Sequence, residues 1–287
     1  MFNRIIVPTD GSDYSWRAVG VGEAFARQFD AKLELLEVVT YSADVNRAEQ
    51  LMRERLAAAP LSVPTTVCAR VMHRSVGFTI ADHVGNVDGA MTVMSTSGRG
   101  RTEAILGSVA VDILREMHGP VVAVGPKATT DRADHRGELM VPVDGSEFSE
   151  SALPLAVAWG IGLEARPWVV EVLDPAQERV EDVVESSYAA RLARHLSAQS
   201  HHQVQFEVLH NKHPGAAIGQ FAESIGASLI IASTHGRTGL ARLALGSVAT
   251  EIVRHAPCPV VLNRPPVLAR TSERPRRSRR QLIAFPM

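Results

Sequence analysis

Continuous apolar runs punctuate the chain at residues 4–8, 33–39, 65–72, 90–94 and 120–124, and again at 138–143, 167–173, 203–209, 228–232 and 259–263. Between them lie longer stretches such as 15–29 and 45–59, dominated by Ala, Glu, Arg and Leu, with the mixed apolar and polar spacing of helices. A strand that faces water on one side alternates, whereas a strand covered on both faces reads as an unbroken apolar run. Ser228-Leu229-Ile230-Ile231-Ala232 is of the second kind. Five such strands joined by four crossovers, occurring twice, predict α/β architecture: two tandem doubly wound five-stranded parallel-sheet domains of flavodoxin-like or Rossmann-like kind.

The two series are copies. Val7-Pro8-Thr9-Asp10-Gly11-Ser12 recurs as Val141-Pro142-Val143-Asp144-Gly145-Ser146, and Ser95-Thr96-Ser97-Gly98-Arg99 recurs as Ser233-Thr234-His235-Gly236-Arg237. Leu106-Gly107-Ser108-Val109-Ala110 returns as Leu245-Gly246-Ser247-Val248-Ala249, and Pro120-Val121-Val122 as Pro259-Val260-Val261. The order is kept while the offset drifts only from 134 to 139, which chance matches would not do. A tandem duplication follows, with a first domain at 1–126, a polar linker at 127–137, a second domain at 138–263 and a tail at 264–287.

Length alone, at 287 residues, allows two domains, and 45% hydrophobic with 21% charged residues is a soluble globular composition. The net charge of −1 conceals an asymmetry: seven arginines and one acid in the tail give +6, so residues 1–263 carry −7. The arginine- and proline-bearing tail has no helical period and is expected to be disordered. No apolar run reaches the roughly 18 residues of a membrane span, and the longest candidate, Ala152–Trp159, contains Pro154. The N-terminus lacks the pattern of a secretory signal. With only Cys68 and Cys258 there is no disulfide framework, and a cytoplasmic setting is the expectation.

Ligands of doubly wound sheets sit beyond the C-terminal strand ends, where the strand order reverses. Asp10 and Asp144 follow the first strand of each copy, and the Ser-Thr-x-Gly loops follow the fourth; if the first strand neighbours the third or fourth, the two features meet. Gly107-Ser108 and Gly246-Ser247 then open a helix, whose free N–H groups and dipole suit an anion. Arg99 and Arg237 add positive charge, and the aspartates suit a ribose hydroxyl or an adenine amine. For any one position the plainer reading is local: Asp10 or Ser12 capping the first helix, Ser108 or Ser247 the fourth, glycines serving turns. Recurrence of the whole set in both copies favours ligand binding.

These residues resemble the universal stress protein family in its tandem form, over residues 1 to about 263. That family's nucleotide signature is Gly-x2-Gly-x9-Gly-(Ser/Thr), preceded by an Asp after the first strand. The second copy has Ser233-x2-Gly236-x9-Gly246-Ser247, departing at the first glycine; the first has Ser95-x2-Gly98-x8-Gly107-Ser108, departing there and in a loop one residue shorter. The resemblance implies the adenine nucleotide alpha hydrolase-like fold. Its base and ribose pockets would comprise Pro8, Asp10, Val38 and Met94, and Pro142, Asp144, Val172 and Ala232. Its phosphate contacts would come from Ser95, Gly98, Arg99, Gly107, Ser108 and Val109, and from Ser233, Gly236, Arg237, Gly246, Ser247 and Val248. ATP, with Mg2+ as its companion ion, is the implied ligand, and the shorter first loop with Glu103 points to tighter binding in the second copy.

The chain contains no Gly-Lys dipeptide, so the P-loop lysine is missing, and Gly20-Val21-Gly22 and Gly160-Ile161-Gly162 are placed at helix ends, unlike a dinucleotide fingerprint. No acid recurs in both loops to hold a metal for phosphoryl transfer. These absences point to slow or no hydrolysis and no catalytic residue, and the family resemblance implies a nucleotide-dependent regulator of the bacterial stress response. A slow ATPase and a stress protein acting only through protein contacts are the alternatives. His201-His202 and His210-x2-His213 lack matching cysteines or acids, so solvated histidines and no metal site are expected; Cys258 and Cys68 read as structural thiols without an activating neighbour. The family resemblance implies pairing through the last strands, here Val121–Val124 with Val260–Leu262, and a homodimer. A regulatory protein partner of unknown identity is expected, and a nucleic-acid partner is not.

Overall fold

A computed structural model of the chain describes residues 2–98, 106–117, 119–130, 135–176, 182–200, 202–235 and 245–264. The first copy runs β1 (Arg4–Pro8), α1 (Asp13–Phe29), β2 (Lys32–Val39), a 3-10 turn (Ser42–Asp44), α2 (Val45–Ala58), β3 (Thr65–Val71), α3 (Val76–Gly85), β4 (Ala90–Ser95), α4 (Ser108–Glu116) and β5 (Val121–Val124). The second runs β6 (Glu138–Val143), α5 (Glu147–Glu150), α6 (Leu153–Gly162), β7 (Arg166–Leu173), α7 (Asp182–Ser200), β8 (Gln205–His210), α8 (Pro214–Ser224), β9 (Ala227–Ser233), α9 (Ser247–His255) and β10 (Val260–Asn263).

All ten strands form one sheet in the order β3-β2-β1-β4-β5-β10-β9-β6-β7-β8. Pairing is parallel within each half. The halves meet where β5 and β10 pair antiparallel, Val260 opposite Ala123, Val261 opposite Val122 and Leu262 opposite Val121. The expected pairing of the last strands thus occurs within one chain. In each half the first strand neighbours the fourth, so the order reverses between β1 and β4 and between β6 and β9.

Strand alternation sends Ile5, Val7, Leu33 and Leu35 to one face of the sheet and Ile6 and Leu36 to the other, each face packing its own apolar layer. Both layers run across the joint, since Leu139, Val141 and Ile231 continue the first and Met140, Val170 and Ile230 the second. Trp159 of α6 sits edge-on to Phe2, Phe25 and Phe29 at centroid distances of 6.0, 5.6 and 5.7 Å. Each such aromatic pair adds about 0.5–1.5 kcal/mol beyond burial. His135 stacks on Phe25 at 4.1 Å and is buried. Ser228 Oγ donates to the His135 carbonyl at 3.0 Å. Thr129 N–H donates to the Pro257 carbonyl at 2.8 Å, and the Arg17 guanidinium donates to the Ala128 carbonyl at 2.7 Å. The polar composition of the linker therefore hides several anchored positions.

One local expectation is corrected. Gly20 and Gly22 lie inside α1, where a Cβ on Gly22 would come 2.6 Å from Val7 Cγ2, so this glycine lets the helix lie close on the sheet. The helix of the second copy that corresponds to α1 is split into α5 and α6, with Pro154 in the first turn of α6, the position where a proline costs least. Among the described residues no helix is long and apolar enough to cross a membrane.

Candidate functional site

Each half ends its first strand in the same turn. Gly11 and Gly145 both adopt φ 78°, a left-handed conformation that turns the chain from strand to helix and that glycine alone adopts without penalty. Asp10 Oδ1 accepts from Ser12 N–H at 3.0 Å and from Ser12 Oγ at 2.6 Å. Asp144 Oδ1 accepts from Ser146 N–H at 3.1 Å and from Ser146 Oγ at 2.6 Å. Each serine then caps its helix, accepting from Ser15 N–H or Ser149 N–H at 3.2 Å. Ser15 Oγ and Ser149 Oγ in turn accept from the aspartate's own N–H, at 3.3 and 3.2 Å. Capping and placement of the carboxylate are one network, so the two readings of these residues do not compete.

The loops after β4 and β9 close alike. Thr96 N–H donates to the Val124 carbonyl and Thr234 N–H to the Asn263 carbonyl, tying each loop to the neighbouring strand. Gly107 N–H returns to the Thr96 carbonyl at 2.9 Å and Gly246 N–H to the Thr234 carbonyl at 2.8 Å. Ser95 Oγ accepts from Ser97 N–H at 3.4 Å and Ser233 Oγ from His235 N–H at 3.3 Å, so a serine closes the turn with its side chain in both copies. The N-caps of α4 and α9 are Gly107 and Gly246, without a side-chain hydrogen bond. Ser108 and Ser247 are therefore the first helical residues and not caps, and no side chain caps the leading N–H groups of either helix.

These pieces surround two clefts of about 280 and about 310 Å3, at the small end of the roughly 300–1,000 Å3 typical of small-molecule sites. Pro8, Asp10, Val38, Met94, Ser95, Gly98, Gly107, Ser108 and Val109 line the first; Pro142, Asp144, Val172, Ala232, Ser233, Gly246, Ser247 and Val248 line the second. Arg99, Gly236 and Arg237 lie outside the described residues. A Cβ on Gly98 would fall 2.7 Å from Asp10 Oδ2, so the bare backbone there is what lets loop and carboxylate approach.

Sequence reasoning missed the outer wall: Val76, Ile80 and Ile113 in the first cleft and Pro214, Ile218 and Ile252 in the second. The offsets of 138 and 139 that relate these pairs would have found them. Antiparallel pairing at the joint also means that the two sets of C-terminal strand ends, and so the two clefts, point in opposite directions along the sheet.

Two segments of the chain, residues 1–125 and 136–264, match the model of the Universal stress protein family. Over 264 residues the chain is 28% identical to universal stress protein Rv1996 of Mycobacterium tuberculosis, covering 85% of this chain and 81% of that protein. Over 141 residues it is 29% identical to universal stress protein MJ0531 of Methanocaldococcus jannaschii, covering 45% of this chain and 82% of that protein. In fold it resembles protein PA1789 of Pseudomonas aeruginosa, with a TM-score of 0.66 and 17% identity over 94% of this chain and 95% of that one. A universal stress protein from Archaeoglobus fulgidus is alike at TM-score 0.65 and 18% identity, over 91% of this chain and 98% of that one. Matched twice along its length, and over the segments that build the two clefts, the chain belongs to the universal stress protein family, as a tandem two-domain member.

Proposed function

We propose that both clefts bind adenine nucleotide, with ATP and its Mg2+ as the ligand, and that the protein acts as a nucleotide-dependent regulator under stress with slow or no hydrolysis. The observation that carries this reading is the duplication, residue by residue, of an apolar slot, an anchored aspartate and an uncapped helix start. In the first cleft Val38, Met94 and Ile80 form a slot for a flat base, and Asp10 is the acceptor for ribose hydroxyls. The start of α4 offers N–H donors and positive dipole to phosphates. Val172, Ala232, Ile218, Asp144 and the start of α9 repeat the arrangement. Mg2+ keeps most of its waters and is held largely by phosphate oxygens, so these residues suit it without a dedicated cage.

Among the described lining residues each cleft holds a single carboxylate, Asp10 or Asp144, and one oxygen of it serves the turn. That supports binding over turnover, since phosphoryl transfer uses an acid for the metal and a further group to orient water. The loop of the second copy keeps the family's x9 spacing while that of the first is one residue short, which supports tighter binding in the second copy. The test is mass spectrometry of small molecules released from freshly purified protein, with calorimetric titration of ATP into stripped protein. Adenine nucleotide at up to two equivalents per chain is expected. No released nucleotide together with no ATP heat or thermal shift would leave the protein acting by protein contacts, and steady phosphate release lost in Asp144→Asn would make it an ATPase.

A further inference from the structure

At the N-terminal end of β2, four residues before Val38 and so about 13 Å along the strand from the first cleft, Glu34 is buried on the sheet. Its Oε1 lies 2.5 Å from His83 Nε2 of α3, and its Oε2 accepts from the Arg4 guanidinium at 2.7 Å. Sheet register sets Cys68 of β3 opposite Leu36, beside Glu34 and on the same face. One carboxylate oxygen, one imidazole nitrogen and one thiol sulfur of this trio all lie within 4.8 Å of one another. His83 Nδ1 accepts from Arg70 Nε at 3.3 Å, which places the ring proton on Nε2, toward Glu34. Cys68, read from the sequence as a structural thiol, thus has a carboxylate and an imidazole beside it, and His83 was not among the histidines singled out there.

The duplicated half shows that the fold does not need these groups. Glu34 pairs opposite Ile6 in the register, as Trp168 does opposite Met140. Phe221 stands in α8 where His83 stands in α3. Trp168 and Phe221 close the space with a 5.6 Å edge-to-face contact. The fold thus accepts an apolar filling at this place, and among the described residues the first copy alone brings a carboxylate, an imidazole and a thiol together there.

We propose that Glu34, Cys68 and His83 form a binding site for a divalent transition metal of the Zn2+ class, with water as fourth ligand. Thiolate, imidazole and carboxylate together are the donor set of Zn2+ and Co2+. Bonds of about 2.0–2.3 Å in a tetrahedron set ligand atoms roughly 3.3–3.8 Å apart. The carboxylate and imidazole, 2.5 Å apart, therefore part by about 0.8 Å, and the thiol needs no more than a small adjustment from within 4.8 Å of both. The thiol proton leaves to solvent, the His83 proton passes from Nε2 to Nδ1, and exposed Arg70 turns outward. Arg4 stays on Oε2 and orients the carboxylate, the usual office of an outer-shell partner. Binding releases the thiol proton, one per ion.

The test uses the full chain, nucleotide-free and kept reduced with a phosphine, titrated with Co2+ and then Zn2+. One equivalent of Co2+ should produce a thiolate-to-metal charge-transfer band and tetrahedral visible bands that Zn2+ erases. Cys68→Ser should abolish the charge-transfer band, and Cys258→Ser should keep it. His83→Phe, which copies the packing of Phe221, should fold and weaken binding at least tenfold, and it decides the matter if Cys68→Ser does not fold. A wild-type protein without the band, or a band that survives in folded Cys68→Ser or at full affinity in His83→Phe, would overturn the site.

Discussion

Asp144→Asn separates what the aspartate does for the fold from what it does for the ligand. Asn keeps an oxygen at Oδ1, so both hydrogen bonds from Ser146, at 3.1 and 2.6 Å, persist. They lose their charge assistance, which makes such bonds roughly twice as strong as neutral ones; with a neutral worth of about 1 kcal/mol each, the two together cost about 2 kcal/mol. In a chain of this size that is a fall in Tm of about 4–8 °C. At the other oxygen an acceptor becomes a donor, and in the proposed reading the cleft-lining carboxylate accepts from the nucleotide. Losing one hydrogen bond to a charged group costs about 1.5–3 kcal/mol, or roughly tenfold to a hundredfold in Kd. Asp144→Ala removes both turn acceptors as well, and should lower Tm about twice as far. Titration calorimetry with ATP, alongside scanning calorimetry, reads both effects. The expected trace keeps the first site and weakens the second. A variant that still binds two ATP with wild-type affinity, or that weakens both sites equally, would refute the assignment of Asp144 to its own cleft.

Gly219→Ala places a Cβ 2.7 Å from His255 Cβ and 2.8 Å from the His255 carbonyl oxygen, against rigid backbone of α9. It should cost about 1–3 kcal/mol by overpacking and weaken only the second cleft, whose wall α8 supplies, as thermal melts and ATP titration will show. Trp159→Ala empties the aromatic cluster between the copies and should lower unfolding free energy by about 3–5 kcal/mol, measured by urea titration. Glu34 has its carboxyl held below its ordinary value of 4.5 by the His83 hydrogen bond and then by Arg4, against the opposing effect of burial. Its stabilising contribution is therefore complete above that value and is lost as pH falls through the depressed one. The Tm gap between wild type and Glu34→Gln should be open at pH 7 and close as acid takes the pH below the ordinary carboxyl value and through the depressed one, and a gap that widens in acid would contradict the linkage.

Strand positions were legible because strands covered on both faces need unbroken apolar runs; Ala227–Ser233 is buried at every residue. The duplication made the two clefts legible as well, since equivalent residues at a constant offset must occupy equivalent places. Strand order was not, because nothing local to β1 says whether the third or the fourth strand lies beside it; that is settled by how the crossover helices pack. Nor was the Glu34, Cys68 and His83 trio, whose spacings of 34 and 15 residues match no ligand motif and which meet only through the register of β2 and β3 and the seating of α3. The alternative of Ser108 and Ser247 as caps could not be dismissed from sequence, because serine favours that place; the close return of Gly107 and Gly246 onto the preceding loop puts the cap one residue earlier.

The antiparallel joint has a consequence for synthesis. β5, buried at all four residues, is complete once Val124 has left the ribosome, but its partner β10 follows only with Val260–Asn263. Throughout translation of the second copy the first therefore carries a bare apolar edge, the kind that recruits foreign strands. A chain interrupted before Val260 keeps that edge for good, so the quality of the finished sheet, and resistance of nascent chains to clumping, hang on its last four-residue strand.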